Sequence, residues 1–488
     1  VACEDCHREL PAPDASLEAL IELYVSRLHE VDRLHREFEQ AVGDVEWQDT
    51  QGVMTPLVQK TREHYGRLVG KVQQRFMRQF EQTGWPVPGY LSNAEVFDRL
   101  VAPKLRENGH KVAYFMVDAL RYELGVALEK QLAEDGTVAV QAAMAQLPTV
   151  TPVGMASLLP GAGEKLHLQR SDQGPSPFLE EKPVATVAQR MDAFRRLYGQ
   201  RFAEVRLEEF VRGRASFDEQ EVDLLVVRSV EIDSHFENHP DTAPAEIINA
   251  LKRIRMAVYK LAAKGFRDVV IATDHGFCIN THAGAGDRID KPSGDWLMVH
   301  DRCALGDGSA DDHHCLTSAE KVGIRGEFAR FACPRSLAAY RSGLAYYHGG
   351  ASLQECVLPV ITMQLKQDVQ PEVSRARIVI SYKNGAKRIT TRVPVLDVSV
   401  EAADMFSNEG DFDMLIEAHD RQGRVVGEAK AGGPVNPATG ILSLQAGATA
   451  QVTLKMQMEF EGKFKVKALD PRTNTVFCQI DLETDYTV

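Results

Sequence analysis

The stretch that most constrains the fold is a short apolar run that ends in an acid, an imidazole and a glycine. Residues 268–273 are mostly apolar and have no helical period, which predicts a buried strand of a parallel sheet. Asp274, His275 and Gly276 follow directly. A carboxylate and an imidazole are costly to bury unless something pairs with them, and open α/β sheets bind ligands at this end of their strands. The alternative at this point is a surface turn in which both side chains bond to nearby backbone.

Other apolar runs end in the same kind of residue. The predicted strands cover residues 112–117, 138–147 and 224–230, and the predicted helices between them cover residues 121–135 and 244–265. Alternation of strand and helix predicts an α/β fold in which a parallel sheet is sandwiched by helices. Asp118 follows the first of these strands, and Asp233 and Glu237 follow the third. These acids should therefore collect at one edge of the sheet.

That edge would gather four carboxylates beside one imidazole, which are Asp118, Asp233, Glu237, Asp274 and His275. Two unit charges about 4 Å apart repel each other by about 4 kcal/mol at an effective dielectric constant near 20. Such a cluster needs protons or cations to be stable. Two divalent metal ions would balance the four carboxylates and would leave a site that attracts phosphate.

A threonine supplies a candidate nucleophile. Pro152 suits the first position of a helix, so Thr151 is expected to be the N-cap, with its hydroxyl at the positive end of that helix. A phosphate or an alkoxide is favoured there. N-capping is also a routine structural role, which leaves that alternative open. Thr149 is a second candidate nucleophile, but it is expected to lie before the helix.

Residues 1–109 are expected to form a helical region. An apolar residue recurs every three or four positions from Leu17 to Phe38, which predicts an amphipathic helix. A second helix should begin at Thr55 and Pro56 and end near Gly84. A capping box at Ser92 and Glu95 predicts a third helix that runs towards residue 108. The region is either a docking bundle for a partner or a helical cap.

Residues 371–488 have a different pattern. Apolar and polar residues alternate from Val452 to Phe460, as in a strand with one buried face, and several similar runs are separated by turn sequences. This pattern predicts an antiparallel β-sandwich, immunoglobulin-like in outline. Such a domain would bind a partner or cover the core.

Composition narrows the class of protein. A net charge of −13 over 488 residues disfavours a surface that is basic throughout, which non-specific nucleic-acid binders usually need. No apolar run approaches the length of a membrane span, so we expect no membrane partner and a cytoplasmic location. Eight scattered cysteines lack the density of a secreted disulfide framework. The chain begins with Val1, and we expect it to be the carboxy-terminal part of a longer protein.

The order of these motifs resembles that of the metal ligands in the alkaline phosphatase superfamily, and the match is closest to its nucleotide pyrophosphatase/phosphodiesterase-like branch. The matching positions are Asp118, Pro-Thr-Val-Thr151, Asp233 with Glu237, Asp274-His275-Gly276, and Tyr347-His348-Gly349-Gly350. The wording of three motifs resembles the PglZ proteins of BREX phage-defence systems more specifically. These motifs are Phe-Met-Val-Asp118-Ala-Leu-Arg-Tyr, the run from Leu147 to Gly161, and His348-Gly-Gly-Ala-Ser-Leu-Gln-Glu355.

The resemblance implies an alkaline-phosphatase-like core over residues 110–367, with Thr151 as the nucleophile and two divalent metal ions, Zn²⁺, Mn²⁺ or Mg²⁺. One metal would be held by Asp118, Thr151, Asp274 and His275, and the other by Asp233, Glu237 and His348. The implied activity is that of a phosphodiesterase or nuclease in phage defence, acting on nucleic acid or a nucleotide. The implied partners are other BREX proteins, including the methyltransferase.

Two positions depart from the pattern of the superfamily. Glu237 stands where many relatives have His, which makes that site more oxygen-rich and favours Mn²⁺ or Mg²⁺ in competition with Zn²⁺. Gly154 stands where phosphodiesterase relatives have an Asn that steadies the phosphoryl oxygen, so a transition-state donor is expected to be missing and turnover to be slow. Restoring an Asn there is predicted to raise turnover. The second hypothesis is accordingly a catalytically weak or inactive metal-binding scaffold that assembles BREX components.

Overall fold

The structure is a computed structural model. It describes residues 1–43, 52–107, 109–133, 135–172, 174–238, 243–279, 287–343, 346–366, 377–401, 411–436, 439–458, 460–472 and 474–486. Within these ranges the α-helices are α1 Ala2–Arg8, α2 Leu17–Leu23, α3 His29–Gly43, α4 Met54–Thr83, α5 Tyr122–Leu132, α6 Thr151–Ser157, α7 Ala162–Lys165, α8 Val187–Tyr198, α9 Leu207–Val211, α10 Glu231–Asn238, α11 Ala243–Ala263 and α12 Leu353–Cys356. No helix in these ranges has the length and apolar character needed to cross a membrane.

The strands belong to two compact units, one formed by residues 1–253 and 264–366 and the other by residues 254–263 and 367–488. Those of the first unit are β1 Leu91–Ser92, β2 Val112–Val117, β3 Gly136–Met144, β4 Leu166–Ser171, β5 Gly174–Leu179, β6 Lys182–Pro183, β7 Phe202–Arg206, β8 Leu224–Ser229, β9 Asp268–Thr273, β10 Cys278–Ile279, β11 Trp296–Val299, β12 Ala304–Gly306, β13 His314–Ser318, β14 Arg330–Pro334, β15 Tyr346–Tyr347 and β16 Val357–Leu365. Those of the second unit are β17 Arg377–Ser381, β18 Arg388–Ile389, β19 Val395–Glu401, β20 Phe412–His419, β21 Val425–Ala429, β22 Leu442–Leu444, β23 Thr449–Met456, β24 Lys463–Leu469 and β25 Val476–Thr484.

The first unit is built on a seven-stranded sheet in the order β1-β3-β16-β9-β2-β8-β7. Neighbouring strands are parallel except where β16 pairs antiparallel with both β3 and β9. The prediction of a parallel sheet is therefore correct for its other strands. The exception has a topological cause, because the chain enters β16 from α12, close to the carboxyl ends of the other strands, and must run back across the sheet.

Two of the apolar segments predicted to be strands, residues 112–117 and 268–273, form the middle of this sheet. All six residues of β2 are buried, as are all six of β9. Helices pack on the sheet through separate clusters: Tyr114 of β2 packs with Met155 of α6 and Phe194 of α8, whereas α5 packs on β3 and β16. Burial of both faces explains why these strands are uninterrupted apolar runs. The predicted α/β class, with helices packed on a mostly parallel sheet, is confirmed.

The amino-terminal helices share a hydrophobic cluster with residues of the sheet unit. Leu20 and Phe76 lie in one cluster with Tyr122, Met144 and Leu358. The predicted stripe is buried from Leu17 to Val31, and α4 ends at Thr83 before Gly84, as expected. The segment predicted as a third helix differs, because it consists of short 3-10 and π turns at Asn93–Glu95, Phe97–Val101 and Lys104–Arg106. Pro103 lacks the N–H that a continuous helix needs there, and residue 108 lies outside the described residues.

Two buried ion pairs join α3 to the start of α5. Asp32 lies 2.8 Å from the Arg121 guanidinium, and both side chains are at most 1% exposed. Arg36 Nε donates to Glu123 at 2.8 Å. Arg121 also packs over the Phe277 ring, with 5.4 Å between the guanidinium carbon and the ring centroid. These contacts anchor the helical region beside Asp118.

The second unit is an antiparallel β structure with an extended hydrophobic cluster and a smaller second one. Its described strands run in the order β17-β19-β23-β21-β20-β24-β25-β18, with β22 added beside β20, and only β18 and β25 are parallel. β21 pairs with both β23 and β20, which joins the strands into one curled sheet instead of two separate sheets. Ile380 of β17 and Val466 of β24 share the core. The alternation of buried and exposed residues predicted along β23 is confirmed. The predicted end of the core at residue 367 and the predicted start of the next domain at residue 371 lie outside the described residues.

Replacing Asp32 by alanine is expected to lower the free energy of unfolding by about 3–5 kcal/mol, because Arg121 would remain buried without its carboxylate. Chemical denaturation followed by tryptophan fluorescence measures this change. Glu37→Ala is the matched control, since Glu37 pairs with Arg33 on the exposed face of the same helix at 2.7 Å, and it should cost less than about 1 kcal/mol. Equal losses in the two variants would contradict the anchoring role.

Candidate metal centre

The register of the central strands brings two of the predicted acids together. Val117 at the end of β2 is level with Thr273 at the end of β9, so Asp118 and Asp274 leave adjacent strands at the same edge. Asp274 Oδ1 accepts hydrogen bonds from the backbone N–H of Ala119 at 3.1 Å and of His275 at 2.9 Å. Ala119 has φ +61°, a left-handed conformation that a non-glycine residue adopts at a cost of about 1–3 kcal/mol. The turn after β2 thus places a backbone donor on Asp274.

One oxygen of each of these two acids lacks a hydrogen-bond donor in the described part of the chain. Asp118 Oδ1 and Asp274 Oδ2 are buried, and neither accepts a hydrogen bond from any described residue. A buried carboxylate oxygen without a donor is costly, and cations and protons are the two species that satisfy it.

His275 is oriented as a ligand by its backbone contact. Its Nδ1 lies 3.0 Å from the Gly276 carbonyl oxygen and must carry the proton to bond there, which leaves the lone pair on Nε2. That Nε2 lies 3.3 Å from Asp274 Oδ2 and 3.8 Å from Asp118 Oδ1. Asp118, Asp274 and His275 together place one ligand atom each within 4.8 Å of one another.

A second group of ligand atoms shares the same imidazole. His348 Nδ1 lies 2.8 Å from the Thr149 carbonyl oxygen, and its Nε2 lies 3.9 Å from Asp233 Oδ1. The His348 and His275 rings stack with centroids 3.9 Å apart. Asp233, His275 and His348 therefore form a second buried set within 4.8 Å. These buried carboxylate and imidazole groups could hold metal ions, and the single free Nε2 of His275 can serve only one of the two sets at a time.

Burial shifts the pKa values of the acids and of the imidazoles in this centre. Burial, followed by the nearby Asp274, raises the pKa of Asp118 well above its usual range. Burial also raises the pKa of Asp274 to about 7, and burial lowers the pKa values of both His275 and His348. In the absence of cations, burial thus favours the protonated form of the acids and the neutral form of the imidazoles. Metal binding must therefore displace protons from the acids, while the imidazoles are already in the form that binds metal.

Thr151 lies beside this centre, with its Oγ1 3.3 Å from His275 Nε2. The expectation that it is the N-cap is corrected by the structure, since Val150 occupies the cap position and Thr151 is the first residue of α6. Pro152 is in the first turn, as predicted. The hydroxyl of Thr151 is half-buried and faces the candidate ligands.

The hydroxyl of Thr149, the alternative nucleophile, is used in hydrogen bonds to the backbone. Its Oγ1 donates to the Gly350 carbonyl oxygen at 2.8 Å and accepts from the Gly349 N–H at 3.1 Å. It is fully buried and holds the loop that carries His348.

Glu237 lies apart from the other predicted ligands. It is exposed, one turn after Asp233 on α10, and it belongs to neither three-residue set among the described residues. Partial burial and the charge of Asp233 raise its pKa, so the carboxylate is within the field of the centre without contacting it. The i,i+4 spacing brings both acids to one face of the helix, but it does not fix where the longer side chain points.

Two side chains that support the candidate ligands and their loop could not be identified from the sequence. The Tyr346 hydroxyl donates to Asp233 Oδ1 at 2.6 Å, and Arg302 Nε donates to Glu355 at 3.1 Å. Glu355 also accepts from the Gly350 N–H at 3.0 Å and from the Ser352 hydroxyl at 2.7 Å, so it fixes the loop rather than the His348 ring. The Ser-x-x-Glu capping pattern signalled the role of Glu355, whereas no local pattern marked Tyr346 or Arg302.

Gly154 allows α6 to approach the candidate ligands. A Cβ atom at this position would lie 2.6 Å from the Asp274 carbonyl oxygen and 2.8 Å from Asp274 Cβ. The expectation that an Asn side chain here would supply a missing donor is therefore corrected, since the helix packs too closely against β9 to admit any side chain.

Replacing Gly154 by alanine is expected to displace Asp274 and to weaken Mn²⁺ binding at least 10-fold, because the added methyl group overlaps the ligand backbone. Isothermal titration of the metal-free protein measures this affinity. The matched control is Gly66→Ala in α4, where a Cβ has no atom within 4 Å and where alanine is the better helix former, so Mn²⁺ affinity should be unchanged. Unchanged affinity in Gly154→Ala would show that the close approach does not position the ligand.

The free energy of unfolding of the metal-free protein is expected to fall as the pH rises from about 4 to about 7. The pKa of Asp274 is raised from its ordinary 3.8 to about 7, so the protonated form stabilises the folded state. That contribution is fully present below pH 3.8 and is lost as the pH passes 7. Denaturation at several pH values in chelator should show a flatter pH dependence for Asp274→Asn than for the unmodified chain. Parallel curves would contradict the burial of an unpaired acid.

Comparisons with known proteins agree with this arrangement of motifs. Residues 96–363 match the family described as the BREX system PglZ alkaline phosphatase-like domain. The chain is 24% identical over 399 residues to the alkaline phosphatase-like protein PglZ of Bacillus cereus (strain H3081.97), which covers 78% of this chain and 45% of that protein. It is 24% identical over 303 residues to the alkaline phosphatase-like protein BrxZ of Escherichia coli O9:H4 (strain HS), which covers 59% of this chain and 34% of that protein. The chain thus spans less than half the length of the curated relatives it matches.

Solved structures of ectonucleotide pyrophosphatase/phosphodiesterase 5 are also similar. The murine protein gives a TM-score of 0.36 at 9% identity and covers 52% of this chain and 88% of its own. The human protein gives a TM-score of 0.36 at 10% identity, with 52% and 87% covered. The family match extends over more than half of the sequence and contains the residues that form the candidate metal centre. The chain therefore belongs to the PglZ alkaline phosphatase-like family of BREX systems.

Proposed function

We propose that this chain is a metal-dependent phosphoesterase, a phosphodiesterase or nuclease that acts in BREX-type phage defence. The observation that carries the proposal is the convergence of two buried ligand sets on His275, with the Thr151 hydroxyl 3.3 Å from the same imidazole. A nucleophile beside paired cation sites is the arrangement that phosphoryl transfer needs.

Asp118, Asp274 and His275 would hold one divalent cation, and Asp233 and His348 would hold the other. The unpaired Asp118 Oδ1 and Asp274 Oδ2 support this assignment. Bound cations would supply positive charge to the nucleophile and to the phosphoryl oxygens. Thr151 would complete the first set through its hydroxyl, and Glu237 would complete the second set if its side chain turned towards Asp233. The oxygen-rich second set favours Mn²⁺ or Mg²⁺ over Zn²⁺ more than a set with a second imidazole would.

Thr151 Oγ1 would attack phosphorus and form a bond to it, and its proton would pass to solvent water. The bond from phosphorus to the leaving-group oxygen would break, and that oxygen would take up a proton. Water would then attack the phosphothreonine, which releases the phosphoryl group and restores the hydroxyl. Throughout, the Gly276 carbonyl would hold the proton of His275 on Nδ1, and the Thr149 carbonyl would do the same for His348. Both Nε2 atoms would thus remain available as ligands.

The substrate would be a phosphodiester in nucleic acid or in a nucleotide. The family name supports a role beside other BREX proteins, of which the methyltransferase is a candidate partner. The net charge of −13 means that a nucleic acid would have to be bound locally at this site and not over the whole surface.

Thr151→Ala is expected to lower phosphodiesterase activity more than about 1,000-fold, because it removes the nucleophile. Hydrolysis of bis-(p-nitrophenyl) phosphate by the full chain, measured with Mn²⁺, Mg²⁺ or Zn²⁺ and with chelator, tests this. Thr151→Ser keeps a hydroxyl and should retain partial activity, which separates the loss of the nucleophile from a change in packing. Equal activity in the alanine variant and the unmodified chain would remove the assignment.

The second candidate function is a metal-binding scaffold with little or no turnover. Gly154 favours it, because no side-chain donor can be placed at that position of the centre. Absence of hydrolysis with all three metals, together with tight metal binding, would support the scaffold over the enzyme.

A further inference from the structure

The outer face of α4 carries a line of positive charge, although the chain as a whole has a net charge of −13. Four exposed cations form this line, the basic stripe: Lys60, Arg67, Lys71 and Arg78. They are seven, four and seven positions apart, and at about 100° per residue such positions fall on one side of a helix. At about 1.5 Å per residue the basic stripe is about 27 Å long.

The basic stripe has no carboxylate partners among the described residues. Arg67 Nε donates to the backbone carbonyl oxygen of Glu63 at 3.3 Å, and Lys71 Nζ lies 3.3 Å from His7 Nε2. Neither contact supplies a negative charge. Like charges at i,i+4 on a helix repel each other, so Arg67 and Lys71 destabilise α4 slightly unless an anion lies beside them.

Several exposed arginines elsewhere in the first unit are paired with acids. Arg27 lies 2.9 Å from Glu9, and Arg212 lies 2.7 Å from Glu208. Such pairs form on a surface where both signs of charge are interspersed. Within the described residues, the lack of such pairs along the basic stripe therefore distinguishes this face from an ordinary solvated surface.

The opposite face of α4 is fixed to the rest of the first unit. Phe76 and Phe80 are fully buried, and Gln73 Nε2 donates to the Ala351 carbonyl oxygen at 2.9 Å. Ala351 lies in the loop that follows His348. The helix therefore presents the basic stripe to solvent in one orientation, as a preorganised row of cations.

We propose that the basic stripe binds the phosphate backbone of a nucleic-acid duplex without reading its sequence. Duplex DNA carries one negative charge per about 1.7 Å of its axis, so a row of about 27 Å can contact several phosphates. Contacts from Lys and Arg to phosphates position a protein on a duplex but carry no sequence information. As a statement about the substrate, the inference rests on the proposed phosphoesterase function, whereas the binding itself can be measured without turnover.

A duplex fits this surface better than a single strand does. Proteins that bind single strands usually stack the bases on aromatic side chains. The aromatic residues of α4 are used elsewhere, since the Tyr65 hydroxyl donates to Asp32 at 2.7 Å and Phe76 and Phe80 are buried. An anionic membrane also carries negative charge, but the basic stripe contains no apolar residue that would insert among lipids.

The test measures binding of the full chain to a fluorescent DNA duplex of about 24 base pairs at several salt concentrations, by fluorescence anisotropy. Combining Arg67→Gln, Lys71→Gln and Arg78→Gln is expected to raise Kd at least about 10-fold and to reduce the slope of log Kd against log salt by about 2–3. Gln is a good helix former, so α4 should persist, which circular dichroism checks. Hydrolysis of bis-(p-nitrophenyl) phosphate should be unchanged, because none of the three residues is a candidate ligand or nucleophile.

The matched control combines Arg27→Gln, Arg196→Gln and Arg212→Gln. It removes the same number of positive charges from the chain, but from arginines that are paired with Glu9, Asp192 and Glu208. Its Kd for the duplex and its salt dependence should equal those of the unmodified chain. A general effect of net charge would instead weaken binding equally in both triple variants.

Equal losses in the two triple variants, or unchanged duplex affinity in the basic-stripe variant, would overturn the inference. A loss confined to single-stranded DNA or to phosphatidylserine vesicles, measured in parallel, would also overturn it. A duplex RNA of the same sequence shows which duplex is bound more tightly, and stripe-dependent binding of either duplex supports the inference. Stripe-dependent binding by a chain without hydrolysis would support the inference and contradict the proposed function, whereas hydrolysis with unchanged duplex binding in the variant would do the reverse.

Discussion

The constraint on which the rest of the structure depends is the burial of Asp118 and Asp274 side by side at the end of two parallel strands. The hydrogen-bonded register of β2 and β9 ends at Val117 and Thr273, so the backbone places the two acids next to each other. Like charges in a medium of low dielectric constant repel strongly, so the folded chain requires protons or cations at this point. The pairing of β2 with β9 therefore creates a buried site that needs protons or cations to be stable.

Much of the surrounding structure holds the remaining ligands against this pair. Thr149 and Glu355 bind successive backbone groups of the loop after His348, and Arg302 is buried against Glu355. On the other side, Asp32 and Arg121 attach α3 to the turn that follows Asp118. Breaking a buried pair of this kind costs about 3–5 kcal/mol, far more than loss of an exposed pair. The helical region is therefore connected to the candidate centre by buried charge as well as by apolar packing.

The parts of the fold that depend on local sequence pattern could be predicted. Residues 112–117 and 268–273 were predicted as strands because an uninterrupted apolar run is required where both faces of a sheet are covered, and they form β2 and β9. The acids and the imidazole that follow these strands could be placed at one edge by the same reasoning. The family resemblance added His348 and the pairing of ligands around two cations, which the sequence pattern alone does not provide.

The features that could not be predicted from the sequence depend on distances in the tertiary structure. The reversal of β16 depends on where the preceding loop leaves the sheet, and the need for glycine at residue 154 depends on how closely α6 approaches Asp274. Tyr346 and Asp233 are 113 positions apart in the chain, so no local motif connects them. The direction of the Glu237 side chain is likewise a result of packing. These features shape the geometry of the candidate site, although no local sequence motif marks the residues that produce them.

The most direct measurement of the central claim is anomalous diffraction from crystals of the full chain grown with Mn²⁺. We predict two peaks about 3.5–4 Å apart, each about 2.0–2.3 Å from its nearest ligand atoms. One peak should be bound by Asp118, Asp274 and His275, and the other by Asp233 and His348. An absence of peaks at these residues, with Asp118 and Asp274 still buried side by side, would contradict the claim that this edge of the sheet is built to hold cations.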